Sequence, residues 1–203
     1  MECSVHGWIA RPGAWGGARP DPGAPEVLLL GAPVDVSALG LPWNAHSVPM
    51  SSLMSAGASG DAGARRAAAM GLRILRNRDA LPAMRQMLSD PDEYVRKQAA
   101  WALGELGDPA DMALLRPLLA DPALRVRLFA AFALARLGDP EGARLTAAEV
   151  QDTTDEPIRR GEGAIALADG RHGQYRPLLE QLLAAGGDRL LVSRLRTALS
   201  RPM

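Results

Sequence analysis

The stretch "DPDEYVRKQAAWALGELGDP" (Asp90–Pro109) returns 31 residues later as "DPALRVRLFAAFALARLGDP" (Asp121–Pro140). A period near 31 that carries helical apolar spacing describes units too small to bury their apolar faces alone. Each must stack on its neighbours. The repeat therefore restricts the chain to an array of helix pairs, which offers surface rather than built-in chemistry.

The repeat extends in both directions. Upstream, "SGDAGARRAAAMGLRILRNRDALPAMRQMLSD" sets Leu72 against Leu103 and Leu134, and Leu75 against Leu106 and Leu137. Downstream, after a slip of two residues, Ala164, Ala166 and Leu167 stand against Ala131, Ala133 and Leu134. Four units are expected over residues 59–187, closed by the apolar-periodic "RLLVSRLRTAL".

Each unit reads as two helices. Val95, Ala99, Ala102, Leu103 and Leu106 fall at helical spacing and predict the buried face of a first helix. "GDP" then punctuates: Gly107 suits the left-handed residue after a helix, Asp108 an N-cap, and Pro109 the first helical position, where a missing N–H costs nothing. A second helix is predicted with Leu114, Leu115, Leu118 and Leu119 on one side, and its fourth-unit counterpart carries Leu178, Leu179, Leu182 and Leu183. Asp90-Pro91 and Asp121-Pro122 predict the same capping chemistry ahead of each first helix.

This pattern of Asp, five residues, Arg, an Ala-rich "AAxALG.LGDP" and a Leu-rich second helix resembles HEAT repeats, specifically the PBS-lyase HEAT-like class. Asp90 with Arg96 and Asp121 with Arg127 match that family's Asp and Arg positions, and Ser59 with Arg65 matches in part. The fourth unit departs, with Asp152 present but the arginine displaced to Arg159 or Arg160, and with Gly161 and Gly163 inside a helix. The resemblance implies an all-α solenoid of about four stacked helix pairs. It also implies a non-catalytic protein-interaction or scaffold role, with an accessory subunit of a bilin chromophore lyase as the alternative.

Charge and composition bound the partners. Lys+Arg and Asp+Glu balance to a formal net charge of zero, with a sequence pI near 6.8. No global field draws the chain to nucleic acid or to an anionic membrane, and the resemblance implies another protein as the partner. Lys97 is the only lysine among the 23 basic residues, so positive charge here means arginine. The single cysteine, Cys3, leaves no internal disulfide and fits a reducing cytosol of bacterial type. The apolar run "VLLL" is far short of a membrane span, and the acidic start at Glu2 lacks the features of a signal peptide.

The first 58 residues hold 15 of the 37 Gly and Pro residues and show no helical period, while residues 59–203 form the expected repeat domain. "EVLLLGAPVDVSALGLP" has room for a short strand, and Trp8, Trp15 and Trp43 are three of the four tryptophans. Three readings stay open for this extension. It is disordered, or it is an arm that docks Trp43 and Leu41 on the first repeat, or the chain starts at Met50 or Met54.

No constellation for catalysis, cofactor or metal is expected. "GEGAIA" mimics a dinucleotide fingerprint but follows no strand and falls inside a predicted helix. Cys3 and His6 have ligand-like spacing without a second pair, and His46 and His172 stand alone. HEAT-like hydroxylases use His-Glu pairs, and no such dipeptide occurs. The arginine column Arg65, Arg96, Arg127 and Arg160 is expected to hydrogen-bond with Asp at repeat boundaries. Asp90, Arg96, Asp121 and Arg127 are thus a structural ladder that sets the stacking of repeats. Arg85 and Arg116 share one repeat position on the second helices, and are the candidate binding residues on the inner, concave side. The column Met70, Trp101, Phe132 and Ile165 is expected to pack between repeats.

Overall fold

The computed structural model describes residues 27–29, 32–34, 50–152, 157–186 and 189–200. Cys3, His6, Trp8, Trp15, Leu41, Trp43 and His46 lie outside the described residues. The chain divides into two compact units, Met1–Ala83 and Met84–Met203.

In the first unit, β1 (Val27–Leu29) pairs antiparallel with β2 (Ala32–Val34), Val27 opposite Val34. Two helices follow, α1 (Met50–Gly57) and α2 (Ala62–Leu75), and they pack on one another. The periodicity reading missed α1, which lies in the stretch assigned to the extension. Eight residues with three serines give too short a window for a 3.6-residue period to show. Leu53 is its one fully buried large side chain, and a Cβ on Gly71 of α2 would lie 2.8 Å from Leu53 Cδ2. Asp61 caps α2 by accepting from the Ala64 N–H, and Arg65 Nη1 donates to the carbonyls of Ser59 and Gly60. Helix α3 (Leu81–Met87) carries the chain across the division between units.

The second unit continues with α4 (Glu93–Leu106), α5 (Met112–Leu115), α6 (Leu124–Arg136), α7 (Pro140–Gln151), α8 (Pro157–Asp169), α9 (Arg176–Ala185) and α10 (Arg189–Leu199). First helices α4, α6 and α8 pack in succession, α7 lies against α6 and α8, and α10 closes on α8. Val95, Ala99, Ala102 and Leu103 of α4 are wholly buried, as their spacing predicts, while Leu106 is half-buried. The core then runs through Phe132, Ala135, Ala143, Val150, Leu167, Leu179 and Leu195.

The second helices are less regular than the sequence suggests. The continuous helix predicted through Leu114 and Leu119 is four α-helical residues between two 3-10 segments, Pro109–Asp111 and Arg116–Ala120. Pro117 has no N–H for the carbonyl four residues back, so the α register cannot continue through it. The tighter winding rotates the leucines apart: Leu115 and Leu118 are buried, Leu119 is half-buried and Leu114 is 45% exposed. The predicted caps also shift. Asp92, not Asp90, caps α4, and α6 starts after Ala123 with no side-chain cap. Asp90 and Asp121 instead accept from the N–H two residues on, those of Asp92 and Ala123, at 2.8 and 2.9 Å. That is the Asx turn, and it leaves carboxylate lone pairs available for another donor.

Small residues set how close the first helices come. A Cβ on Gly104 of α4 would stand 2.6 Å from the Cα of Ala133 on α6, so only glycine allows this crossing. Gly163 does the same for α8, since a Cβ there would meet Val150 Cγ2 at 2.9 Å. The "GEGAIA" run is accordingly interior to one continuous helix, α8.

Truncating Leu103 to Ala should destabilise the fold by about 2–5 kcal/mol, because the side chain is wholly buried. A urea melt whose midpoint does not move would show that this face of α4 is not core.

Candidate interaction surface

Two of the guanidinium groups that join one repeat to the next, those of Arg96 and Arg116, reach carboxylates that also accept a backbone N–H, Asp121 and Asp139. Arg96 of α4 donates through Nε to Asp121 Oδ2 at 2.7 Å and through Nη2 to Oδ1 at 2.9 Å. Its Nη1 donates to the carbonyls of Asp90 and Pro91 at 2.7 and 3.0 Å. One side chain thus ties the loop before its own helix to the Asx turn before the next. Arg127 repeats the local half of this arrangement, with Nη1 donating to the carbonyls of Asp121 and Pro122 at 2.8 and 3.0 Å. In the fourth unit, where the sequence slips, Arg160 Nε donates to the Val150 carbonyl instead.

The side chains of Arg96 and Asp121 are only 13% and 8% exposed. The Arg96 hydrogen bonds hold the Asp121 carboxyl below the usual carboxylate range against the opposing effect of burial, and Asp121 in turn raises the Arg96 guanidinium. At Asp139 burial favours the neutral acid most strongly. It is outweighed by the Gly142 N–H and Arg116 together, and the net shift is downward.

A second series lies on the second helices, where the sequence pattern marks the arginines but not their acceptors. Arg85 of α3 donates to both oxygens of Asp111, at 2.6 and 3.2 Å, and Arg116 donates twice to Asp139 Oδ2, at 2.6 and 3.1 Å. Asp139 meanwhile caps α7 through Oδ1, accepting the Gly142 N–H at 2.8 Å. The two carboxylates are each 2% exposed, while the arginines in front of them are 36% and 62% exposed. The candidate binding residues are therefore held from behind by buried acids. Their acceptors sit at different repeat positions, Asp111 where the next unit has Gly142, which is why a 31-residue comparison does not reveal them.

The aromatic column packs inward. Trp101 and Phe129 stack with centroids 4.8 Å apart, Phe129 and Phe132 follow at 5.4 Å, and Phe132, Met70 and Ile165 are buried. The single lysine, Lys97, is buried with its ammonium 4.4 Å from the Tyr94 ring centre. His172 is buried too, its Nε2 at 2.7 Å from the Ala135 carbonyl, where it joins the end of α6 to the loop after α8. Among the described residues no group of three or more His, Cys, Asp or Glu could hold a metal ion, and no helix is long and apolar enough to cross a membrane.

Residues 51–128 match the family model for HEAT repeats. Those residues are the part of the chain that is similar to HEAT repeats. The match opens within α1 and so takes in the helix that periodicity overlooked. Among solved structures, YibA of Escherichia coli is similar at 20% identity and a TM-score of 0.50, over 75% of this chain and 54% of YibA. The chain thus spans little more than half the length of that neighbour. A chain from the complex of CpcE and CpcF of phycocyanin lyase from Nostoc sp. PCC7120 aligns at 20% identity over 74% of this chain and 81% of that one, with a TM-score of 0.39. No curated protein matches the sequence.

Acid should unfold this protein through its rungs. The native Asp121 and Asp139 carboxyls sit below their unfolded values, so their contribution is complete above about pH 4 and is lost as pH falls through the native values. The urea midpoint should hold between pH 7 and 5 and drop below about 4, with a shallower acid limb in Asp121→Asn. An acid limb identical in the variant would contradict the assignment.

Proposed function

We propose that this chain is a non-catalytic protein-interaction module of a cytosolic compartment. One observation carries the reading: along successive second helices, arginines are exposed while the acids that hold them are buried. A scaffold of this kind presents many side chains of fixed orientation over a broad face. Affinity then comes from the sum of surface contacts, and the ordering cost is reduced because the guanidinium groups are already positioned. Both acids are buried, and Asp139 also caps α7, so the arginines are the more accessible part of each pair.

The test is capture from the native host with the full chain as bait, followed by reconstitution from purified components. The expected result is a protein retained in a fixed ratio to the bait and released by salt. Retention of a tetrapyrrole with no protein, or of nothing above an unrelated helical-repeat control, would contradict the reading.

A further inference from the structure

We propose that the guanidinium of Arg127 is a docking point for a carboxylate side chain of a partner protein, with an apolar residue beside that acid to meet Leu124. The inference rests on the protein-interaction reading and names the partner's chemistry at one position. The chain carries its own template for the contact, 31 residues earlier. Arg96 anchors Nη1 on the carbonyls of Asp90 and Pro91 at 2.7 and 3.0 Å, and gives Nε and Nη2 to the two oxygens of Asp121. Arg127 anchors Nη1 in the same way, on the carbonyls of Asp121 and Pro122 at 2.8 and 3.0 Å. Among the described residues nothing accepts from its Nε or Nη2.

The acceptor is absent because the repeat slips. The position 31 after Asp121 is Asp152, which ends α7 in extended backbone. Arg160, in the slipped register, donates to the Val150 carbonyl. Asp121 cannot serve instead, because its oxygens already accept from Arg96 and from the Ala123 N–H. Other acids near Arg96 also lack counterparts at Arg127. Asp92, which caps α4, gives way to Ala123, and the exposed Glu93 gives way to Leu124. The arginine is kept from one repeat to the next while the acids around it are removed.

A carboxylate suits the open edge of Arg127 because Asp121 takes the same edge of Arg96, at 2.7 and 2.9 Å. Two carbonyls already fix the direction of the fork, so little side-chain freedom is lost when an acid binds. Leu124 adds the apolar half of the contact. It lies three positions before Arg127 in the first turn of α6, hence on the same side of the helix. At 54% it is more exposed than the other outward-facing large apolar side chains, Met54 and Leu114. One fork beside one leucine matches an acidic residue with an apolar neighbour. Nucleic acid would need many uncompensated cations, and the chain has no net charge.

Heteronuclear NMR of the arginine Nε–H groups in the full-length chain tests this, with the Arg127 signal assigned by its loss in Arg127→Lys. The probe is the capped tripeptide Asp-Pro-Leu, which copies the start of the Asp121 turn and ends in an apolar residue, beside its Asn-Pro-Leu counterpart. The Asp tripeptide should shift the Arg127 signal saturably while that of Arg96, already paired, stays still. The Asn tripeptide should do nothing. Arg127→Lys should abolish the response of neighbouring backbone amides, because an ammonium lacks the two-point fork. Since Nη1 also supports the turn, its melting curve is recorded, and Leu124→Ser, at an exposed position, serves as the second variant. It should weaken the tripeptide severalfold with melting unchanged. An unmoved Arg127 signal, equal responses to the two tripeptides, or arginines shifting alike would overturn the proposal. So would an Arg127 signal of the free protein that loses a hydrogen-bonded position in Asp155→Asn or Glu156→Gln, because the chain's own acid would then hold the fork. A captured protein partner retained equally by Arg127→Lys and Leu124→Ser would overturn it too, while leaving the protein-interaction reading standing.

Discussion

Asp121 joins two repeats by serving both. One oxygen accepts from Ala123 to shape its own turn, both accept from Arg96 of the repeat before, and its carbonyl accepts from Arg127 of its own helix. The geometry is cooperative, because an Asx turn points the carboxylate and a fork of donors then locks its plane. An array of helix pairs depends on such a junction. Apolar stacking favours contact between repeats but is indifferent to small rotations, whereas a two-point ion pair is not.

The same economy appears on the second helices. Asp139 caps α7 and anchors Arg116, and burial at 2% exposure makes both bonds strong and their loss expensive. Buried acids and exposed arginines give the second unit a surface whose cations are fixed by the fold itself. The exposed face and the stacking therefore share residues here. A substitution at Arg116 would alter the face it presents and the cap it supports at once.

The fold was legible in the sequence because its signals agree: a 31-residue period, apolar spacing on α4 and α6, and Gly-Asp-Pro punctuation all point to stacked helices. What was not legible has physical reasons. Pro117 winds its segment into 3-10 geometry, so leucines that share a face on an α-helical wheel separate in space. Helix α1 is too short and too rich in serine to show a period. At the candidate site the arginines stood out by position, but their acceptors did not, because Asp111 and Asp139 occupy different places in their units. The sequence reading assigned Asp90 and Asp121 to helix caps, and the structure uses them as Asx turns whose remaining lone pairs face outward from the turn.

A double-mutant cycle on Arg96 and Asp121 tests the junction most directly. Arg96→Ala, Asp121→Ala and the double variant would be compared by urea unfolding at neutral pH. If the pair couples the repeats, each single change costs about 1–3 kcal/mol and the double change costs far less than their sum, leaving a coupling of at least about 1 kcal/mol. Additive costs, agreeing within about 0.5 kcal/mol, would show that the two residues act independently and that apolar packing alone sets the stack.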